Sequence, residues 1–497
     1  MIRPAHILGF LLFVLALLAA ITFLFPENTV EVAGMKLKYR NLEDILHPKK
    51  IEYADISDIV KSDIIEDTAT AEPLDTTALL DTVRADADLL AASEYPILTT
   101  ESGKIKLRSF FKAMENARSA SKPVRIMHYG DSQIEADHIT GYLRERLQQS
   151  FGGNGPGLLA VKPVTQKLSW RVSASEEWNR YTLLGEIDST ITHKRYGPMV
   201  SLFRFAPPWI DSLPNDSIMY SASFEIKNSF NGYSASNSWD NAKLFYGNLN
   251  RPVQVIGKDD ADEIFLEDSL MPTEALRALS LGNYKKQFTI EVQGHDSPDF
   301  YAISLESNNG IIVDNIPLRG SAGTFVTQME YSMMLRWLNT LNAKLLILQF
   351  GVNVVSDEVE DFAYYENWMF YQLKAIAQMR PDLPVIVVGI SDMSKKDGTE
   401  YVSYEAISKI RDAQKNAAMD AGFAFWDMYE AMGGENSMPS WVWADPPLAN
   451  TDFTHFNVKG SKIISNMLYN ALMLEYREYK KAQQFTQSDE NQVKDEN

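Results

Sequence analysis

The sequence predicts an α/β chain in three layers, a parallel sheet covered by helices on both faces, with an inserted all-β sandwich and an N-terminal transmembrane helix. Three observations predict it. Short buried apolar runs alternate with helical stretches in two separated parts of the chain, as strands and crossover helices of a parallel sheet do. Between those parts the pattern changes to short alternating runs with frequent Ser, Asn, Gly and Pro turns, as in SIMYSASFEI, AKLFYGN and KKQFTIEVQG, which is the pattern of a sandwich. An unbroken apolar run opens the chain.

That run is ILGFLLFVLALLAAITFLF over residues 7–25. At about 1.5 Å of helical rise per residue it covers about 28 Å, close to the hydrocarbon thickness of a bilayer. Arg3 precedes it and Pro26 ends it. This places residues 1–25 as a single-pass anchor with the rest of the chain on the extracytoplasmic, periplasmic side. The rival is a cleaved signal peptide, but no small-x-small site follows and the run is long for one. Residues 26–103 read as an acidic, low-complexity stalk, because the stretch IIEDTATAEPLDTTALLDTVRADADLL lacks aromatics to build a core.

The first part of the α/β domain covers residues 104–164. It has a helix over 107–118, a buried strand PVRIMHY over 123–129, the turn Gly130-Asp131-Ser132, and a helix over 136–149. The insertion covers 165–310. The second part, 311–480, holds the strands GIIVDNIPL, AKLLILQFG, LPVIVVGIS and FAFWDMY. Helices are expected over 362–378 and 404–421, with a last one over 458–479 bearing an apolar stripe at Ile463, Ile464, Met467, Leu468, Ala471 and Leu472. Residues 481–497 are polar and expected to be disordered.

Composition bounds the function. The chain has 497 residues, 45% hydrophobic and 23% charged, enough for a large core. With 66 acidic against 47 basic residues its net charge is −19, and no basic patch stands ready for phosphates, so nucleic acid is not an expected partner. The absence of cysteine removes disulfides, thiolate metal sites and a Cys nucleophile.

Open parallel sheets carry their sites at the carboxyl ends of strands. Ser132 lies where a strand turns into a helix; Gly-Asp-Ser is also an ordinary turn and helix cap. Asp452-Phe453-Thr454-His455 precedes the last helix, and a carboxylate three residues from an imidazole can orient it as the base a serine needs. Asn353, in Gly351-Val352-Asn353 after a strand, can donate to an oxyanion, as can a main-chain N–H of the glycine-rich turn Arg319-Gly320-Ser321-Ala322-Gly323-Thr324. His128, Asp131, Glu135, Asp137 and His138 form a rival metal-ligand set, with no second set downstream.

In order and context these residues resemble the SGNH/GDSL hydrolase family, over about residues 120–164 and 311–475. The resemblance implies a flavodoxin-like sheet, Ser132 as nucleophile, His455 as base, Asp452 as its orienting acid, and an oxyanion site of Ser132, Gly323 (or Gly320) and Asn353, with neither cofactor nor metal. Two departures stand out. Gly-Asp-Ser-Gln lacks the Leu of the family's lipases, and Val354 replaces the Asp of its Gly-x-Asn-Asp. The stretch GDSQIEADHITGYLRERLQQSFGGNGPG looks like the subgroup that removes or adds O-acetyl groups on envelope polysaccharide or peptidoglycan. That implies an esterase acting on acetylated polysaccharide or, with the same residues, an O-acetyltransferase fed by a membrane acyl-donor protein; a non-catalytic glycan-binding scaffold is the rival. In the insertion, Trp170, Trp178, Trp209, Trp239 and Tyr246 read mainly as core, with sugar stacking as the alternative.

Overall fold

The computed structural model describes residues 4–24, 29–32, 35–38, 51–60, 94–208 and 217–495. Residues 1–52 and 53–497 form two separate units. The first holds a helix, Pro4–Leu24, and a two-stranded antiparallel hairpin, Thr29–Val32 with Met35–Lys38.

In the second unit a six-stranded sheet is built from β1 (Leu98–Thr99), β2 (Val124–Gly130), β3 (Ile311–Pro317), β4 (Ala343–Gln349), β5 (Val385–Val388) and β6 (Ala424–Trp426). Their spatial order is β3-β2-β4-β5-β6-β1. The first five run parallel, and β1 joins the far edge antiparallel. Leaving β1 aside, the parallel strands follow the flavodoxin-like order 2-1-3-4-5, whose switch point lies between β2 and β4.

Alternation along each strand makes the three layers. Ile126, Ile347 and Ile386 face one core with Leu107, Phe110, Leu143, Leu147, Ile464 and Leu468 from the helices Glu101–Glu115, His138–Phe151 and Val458–Asp495. Met127, Leu346 and Val387 face the other with Trp337, Leu373 and Ile410 from the helices Tyr331–Thr340, Ala363–Met379 and Ala406–Asp420.

The insertion leaves after the helix His138–Phe151 and returns through the strand Asp299–Glu306, which leads into β3. It consists of two antiparallel sheets. Trp170, Trp178, Phe224, Trp239, Leu244, Ile290 and Ile303, drawn from both, fill one shared core. Its first strand, Gly157–Leu159, pairs with Asp299–Glu306. The buried Arg125 of β2 ties insertion to sheet. It donates to both oxygens of Asp314 at 2.8 and 3.1 Å, to Ser304 Oγ at 3.0 Å, and to Glu306.

Three features differ from the sequence reading. The N-terminal transmembrane helix is not found, since among the described residues no helix is long and apolar enough to cross a membrane. Both ends of the acidic segment pack within the second unit. Ile56 and Ile97 are buried, Ser440 Oγ donates to Ala54 O at 2.8 Å, and Trp426 Nε1 donates to Tyr95 O at 3.1 Å. Residues 61–93 lie outside the described residues. The last helix runs on to Asp495, through most of the segment expected to be disordered.

Candidate active site

β2 delivers the serine. At Gly130 a Cβ would sit 2.8 Å from Gln349 O on neighbouring β4, so only glycine fits this close approach. Asp131 then turns the chain, its Oδ1 accepting from Gln133 N at 3.0 Å. A 3-10 turn, Ser132–Asp137, follows, and the helix starts at His138, two residues later than the sequence implies. Ala136 (φ 56°) and Asp137 (φ 69°) are left-handed, a conformation that costs non-glycine residues roughly 1–2 kcal/mol each. Arg144 offsets this. It grips the Asp137 carboxylate at 2.7 and 2.9 Å while its Nε donates to Val313 O at 2.7 Å.

The Asp452–His455 loop meets this turn. The Asp452 carboxylate accepts from the N–H groups of Thr454 and His455, both at 3.0 Å, and its Oδ2 lies 2.8 Å from His455 Nδ1. His455 Nε2 lies 2.8 Å from Ser132 Oγ. With the ring proton on Nδ1, donated to Asp452, Nε2 is left to accept the serine hydroxyl proton. Partial burial pushes the Asp452 carboxyl up, but the His455 and Thr454 donors together hold it below its usual range. The loop is fixed at Phe453, which is left-handed (φ 55°) and stacked on Tyr401 with centroids 3.6 Å apart. Its carbonyl accepts from Ser394 N at 3.0 Å.

The structure brings two of the expected oxyanion elements, Asn353 and the 319–324 turn, together, with one difference. Asn353 follows β4, and its Nδ2 donates to Ser321 O at 3.2 Å in the turn after β3. Gly323 is buried, and its N–H donates to Ser321 Oγ at 3.1 Å, so this amide is already engaged. Glycine is required there by φ 85° and by the Phe350 ring, which a Cβ would meet at 2.9 Å. Gly320 (φ 76°) is exposed, with open space beside it.

Two groups next to the serine take places that the sequence reading did not give them. Asp131 is buried, and burial pushes its carboxyl up to about 7 against the opposing N–H groups of Gln133, Val352 and Gly351 and the charge of His455. Gln133 is buried and donates to Ser391 Oγ at 2.9 Å and Thr454 O at 2.7 Å. The sequence shows Gln133 only as a departure from the family's Leu, and no helical spacing signals the Asp137–Arg144 pair, since Asp137 lies just outside the helix. The rival metal set is dispersed. His128 is bonded to Gln349 Oε1 at 3.0 Å, with its pKa pushed down to about 4 by burial, and Asp137 is held by Arg144. No group of three or more metal-binding side chains occurs among the described residues. Trp170, Trp178 and Trp239 are core residues of the insertion, Tyr246 packs against that core, and Trp209 lies outside the described residues.

A five-stranded parallel sheet in 2-1-3-4-5 order, carrying serine, asparagine and an Asp-x-x-His loop at one end, is the α/β fold of the SGNH hydrolases. Residues 287–463 match the model of the GDSL-like Lipase/Acylhydrolase family, a span that holds Gly323, Asn353, Asp452 and His455 but not Ser132. The chain is similar in structure to a peptidoglycan O-acetylesterase at 20% identity and a TM-score of 0.59, covering 76% of this chain and 99% of that one. Two other matches are a family two carbohydrate esterase from Clostridium thermocellum (10% identity, TM-score 0.21, 51% and 94% covered) and a Corynascus thermopiles carbohydrate esterase family 2 enzyme (11%, 0.24, 60% and 99%). No curated protein matches the sequence.

Proposed function

We propose that the protein is a serine esterase that removes O-acetyl groups from an extracytoplasmic polysaccharide through an acyl-serine intermediate. The observation that carries this reading is the chain Ser132 Oγ, His455 Nε2, His455 Nδ1, Asp452 Oδ2, with both hydrogen-bond links at 2.8 Å. His455 takes the serine proton as Oγ attacks the acetyl carbonyl, then returns it to the departing sugar hydroxyl; water repeats the sequence to release acetate. The tetrahedral oxyanion is held by Ser132 N–H and the Asn353 side chain, with Gly323 N–H joining them if it leaves Ser321 Oγ. The likeness to a peptidoglycan O-acetylesterase fold supports the choice of substrate class, and the apolar run 7–25 behind Arg3 supports export from the cytoplasm.

The test is acetate release from O-acetylated polysaccharide by the full chain, alongside labelling by a fluorophosphonate probe. Wild type should do both and Ser132→Ala neither. Acetate release by Ser132→Ala at the wild-type rate would overturn the assignment.

A further inference from the structure

A cavity of about 640 Å³ opens between the insertion and the site loops. One wall is the turn after the serine, through Glu135 and Ala136; another is the 319–324 loop; the third is the insertion, through Lys162, Lys167 and Arg180. Glu135 is three residues beyond Ser132, at most about 11 Å along the chain. One wall of the cavity is thus the turn that follows the serine, although Ser132, Asp452 and His455 do not themselves line it.

Its charge is the reverse of the protein's. Acidic residues exceed basic ones by 66 to 47 in the chain, yet the lining holds Lys162, Lys167, Arg180 and Arg319 against Glu135 alone. Carboxylates lie near three of them, Asp137 and Asp314 by Lys167, Glu177 by Lys162 and Glu135 by Arg319, whereas Arg180 has no such neighbour among the described residues. Lys167 Nζ donates to Leu158 O at 2.8 Å and Lys162 Nζ to Trp178 O at 2.6 Å, both uncharged acceptors, which leaves each ammonium further donors. Arg319 is 68% exposed and lies 3.9 Å from Glu135, a separation that contributes little. Arg180 extends from the strand Asn179–Thr182 to line the cavity, is exposed to solvent, and makes no ion pair among the described residues. An accessible, unpaired guanidinium is suited to planar, bidentate carboxylates. Val164 and Ile187, both exposed, add apolar surface of the kind the C–H faces of sugar rings cover.

We infer that this cleft holds the polymer strand by its carboxylates, with Arg180 as the principal contact, so that the preferred substrate is an acidic, uronate-type O-acetylated glycan. The inference rests on the esterase reading for its catalytic consequence but not for binding. The field of four cations adds long-range attraction for such a strand, which salt screens.

The experiment compares full-length wild type and Arg180→Gln on an O-acetylated uronate hexasaccharide and on neutral O-acetylated xylohexaose, with thermal melting to verify folding. Wild type should prefer the uronate by at least about tenfold in kcat/KM, and Arg180→Gln should lower that preference on the order of 10- to 100-fold, mainly through KM. Arg180→Lys should restore part of it, and about 0.5 M NaCl should shrink the wild-type preference. Equal preference in wild type and Arg180→Gln, or a wild-type preference for xylohexaose, overturns the inference. If neither ester is turned over, the esterase reading has failed, and calorimetric binding of de-acetylated hexauronate still decides the cleft. Weaker binding by Arg180→Gln supports it, and equal binding refutes it.

Discussion

Gln133 Nε2 donates to the main-chain oxygen of Thr454 at 2.7 Å, so the residue after the serine grips the residue before the histidine. Ser132 and His455 are 323 positions apart, and this link sets one against the other. Gln133→Met keeps the length and stays uncharged but loses the amide donor to Thr454 and Ser391. Catalytic geometry displaced by about 1 Å costs on the order of 100-fold. We expect kcat to fall about 10- to 100-fold with thermal stability largely kept, and labelling of Ser132 by a fluorophosphonate to slow in parallel. Labelling at the wild-type rate would sink the idea.

Asp452 acts through its charge and through three contacts with the loop. Asp452→Asn should lower kcat by about 10²- to 10⁴-fold, because the ring can then rest in the wrong tautomer. The lower bound reflects a carboxylate side chain that is 50% exposed, where water can partly substitute. The sign of its pH effect follows from its depressed folded pKa. The stabilisation is present above the unfolded carboxyl value and is lost as pH falls through the folded one. Half-exposed, it is screened, so the variant's catalytic defect should far exceed any change in its urea midpoint at pH 7.

Asp131 should show the opposite pH dependence. Its folded pKa, about 7, lies above the usual 3.8, so between these values the native state binds more protons than the unfolded chain. Stability therefore falls as pH rises from about 4 to 7, by up to roughly 4 kcal/mol from this group, and levels off above. Asp131→Asn lacks that component. Urea midpoints at pH 5 and pH 8 should drop less with pH in the variant than in wild type. Parallel drops would show that the Asp131 carboxyl titrates as in water.

The core strands were legible because a parallel strand buried on both faces is an uninterrupted apolar run, as in LLILQ and VIVV. Ser132, Asn353, Asp452 and His455 were legible for a related reason, since each closes a strand or opens a helix where a short polar motif stands out. What escaped depends on pairing that no local pattern encodes. β1 is only two residues long and lies beside an acidic segment; Trp426 and the edge of β6 give it its place. The late helix start hinges on left-handed Ala136 and Asp137, positions with no glycine to announce the turn. The engagement of Gly323 N–H depends on the side chain of Ser321, and sequence spacing carries no such information.

The Asp137–Arg144 pair is the last point at which structure and catalysis can be separated by measurement. Both side chains are buried, and Arg144 also donates to Val313 O of β3. Removing one member leaves an uncompensated buried charge, at a cost of about 3–5 kcal/mol, whereas replacing both by apolar or neutral groups is often close to neutral. Arg144→Met should therefore lower the urea-derived stability by about that amount, and Arg144→Met combined with Asp137→Asn should recover much of it. Activity should not recover in step. The carboxylate grip that offsets two left-handed residues after Ser132 is absent from both variants, so kcat should stay depressed in the double variant even as its stability returns. Recovery of stability and kcat together would show that the pair holds only the fold and leaves the serine turn to its neighbours.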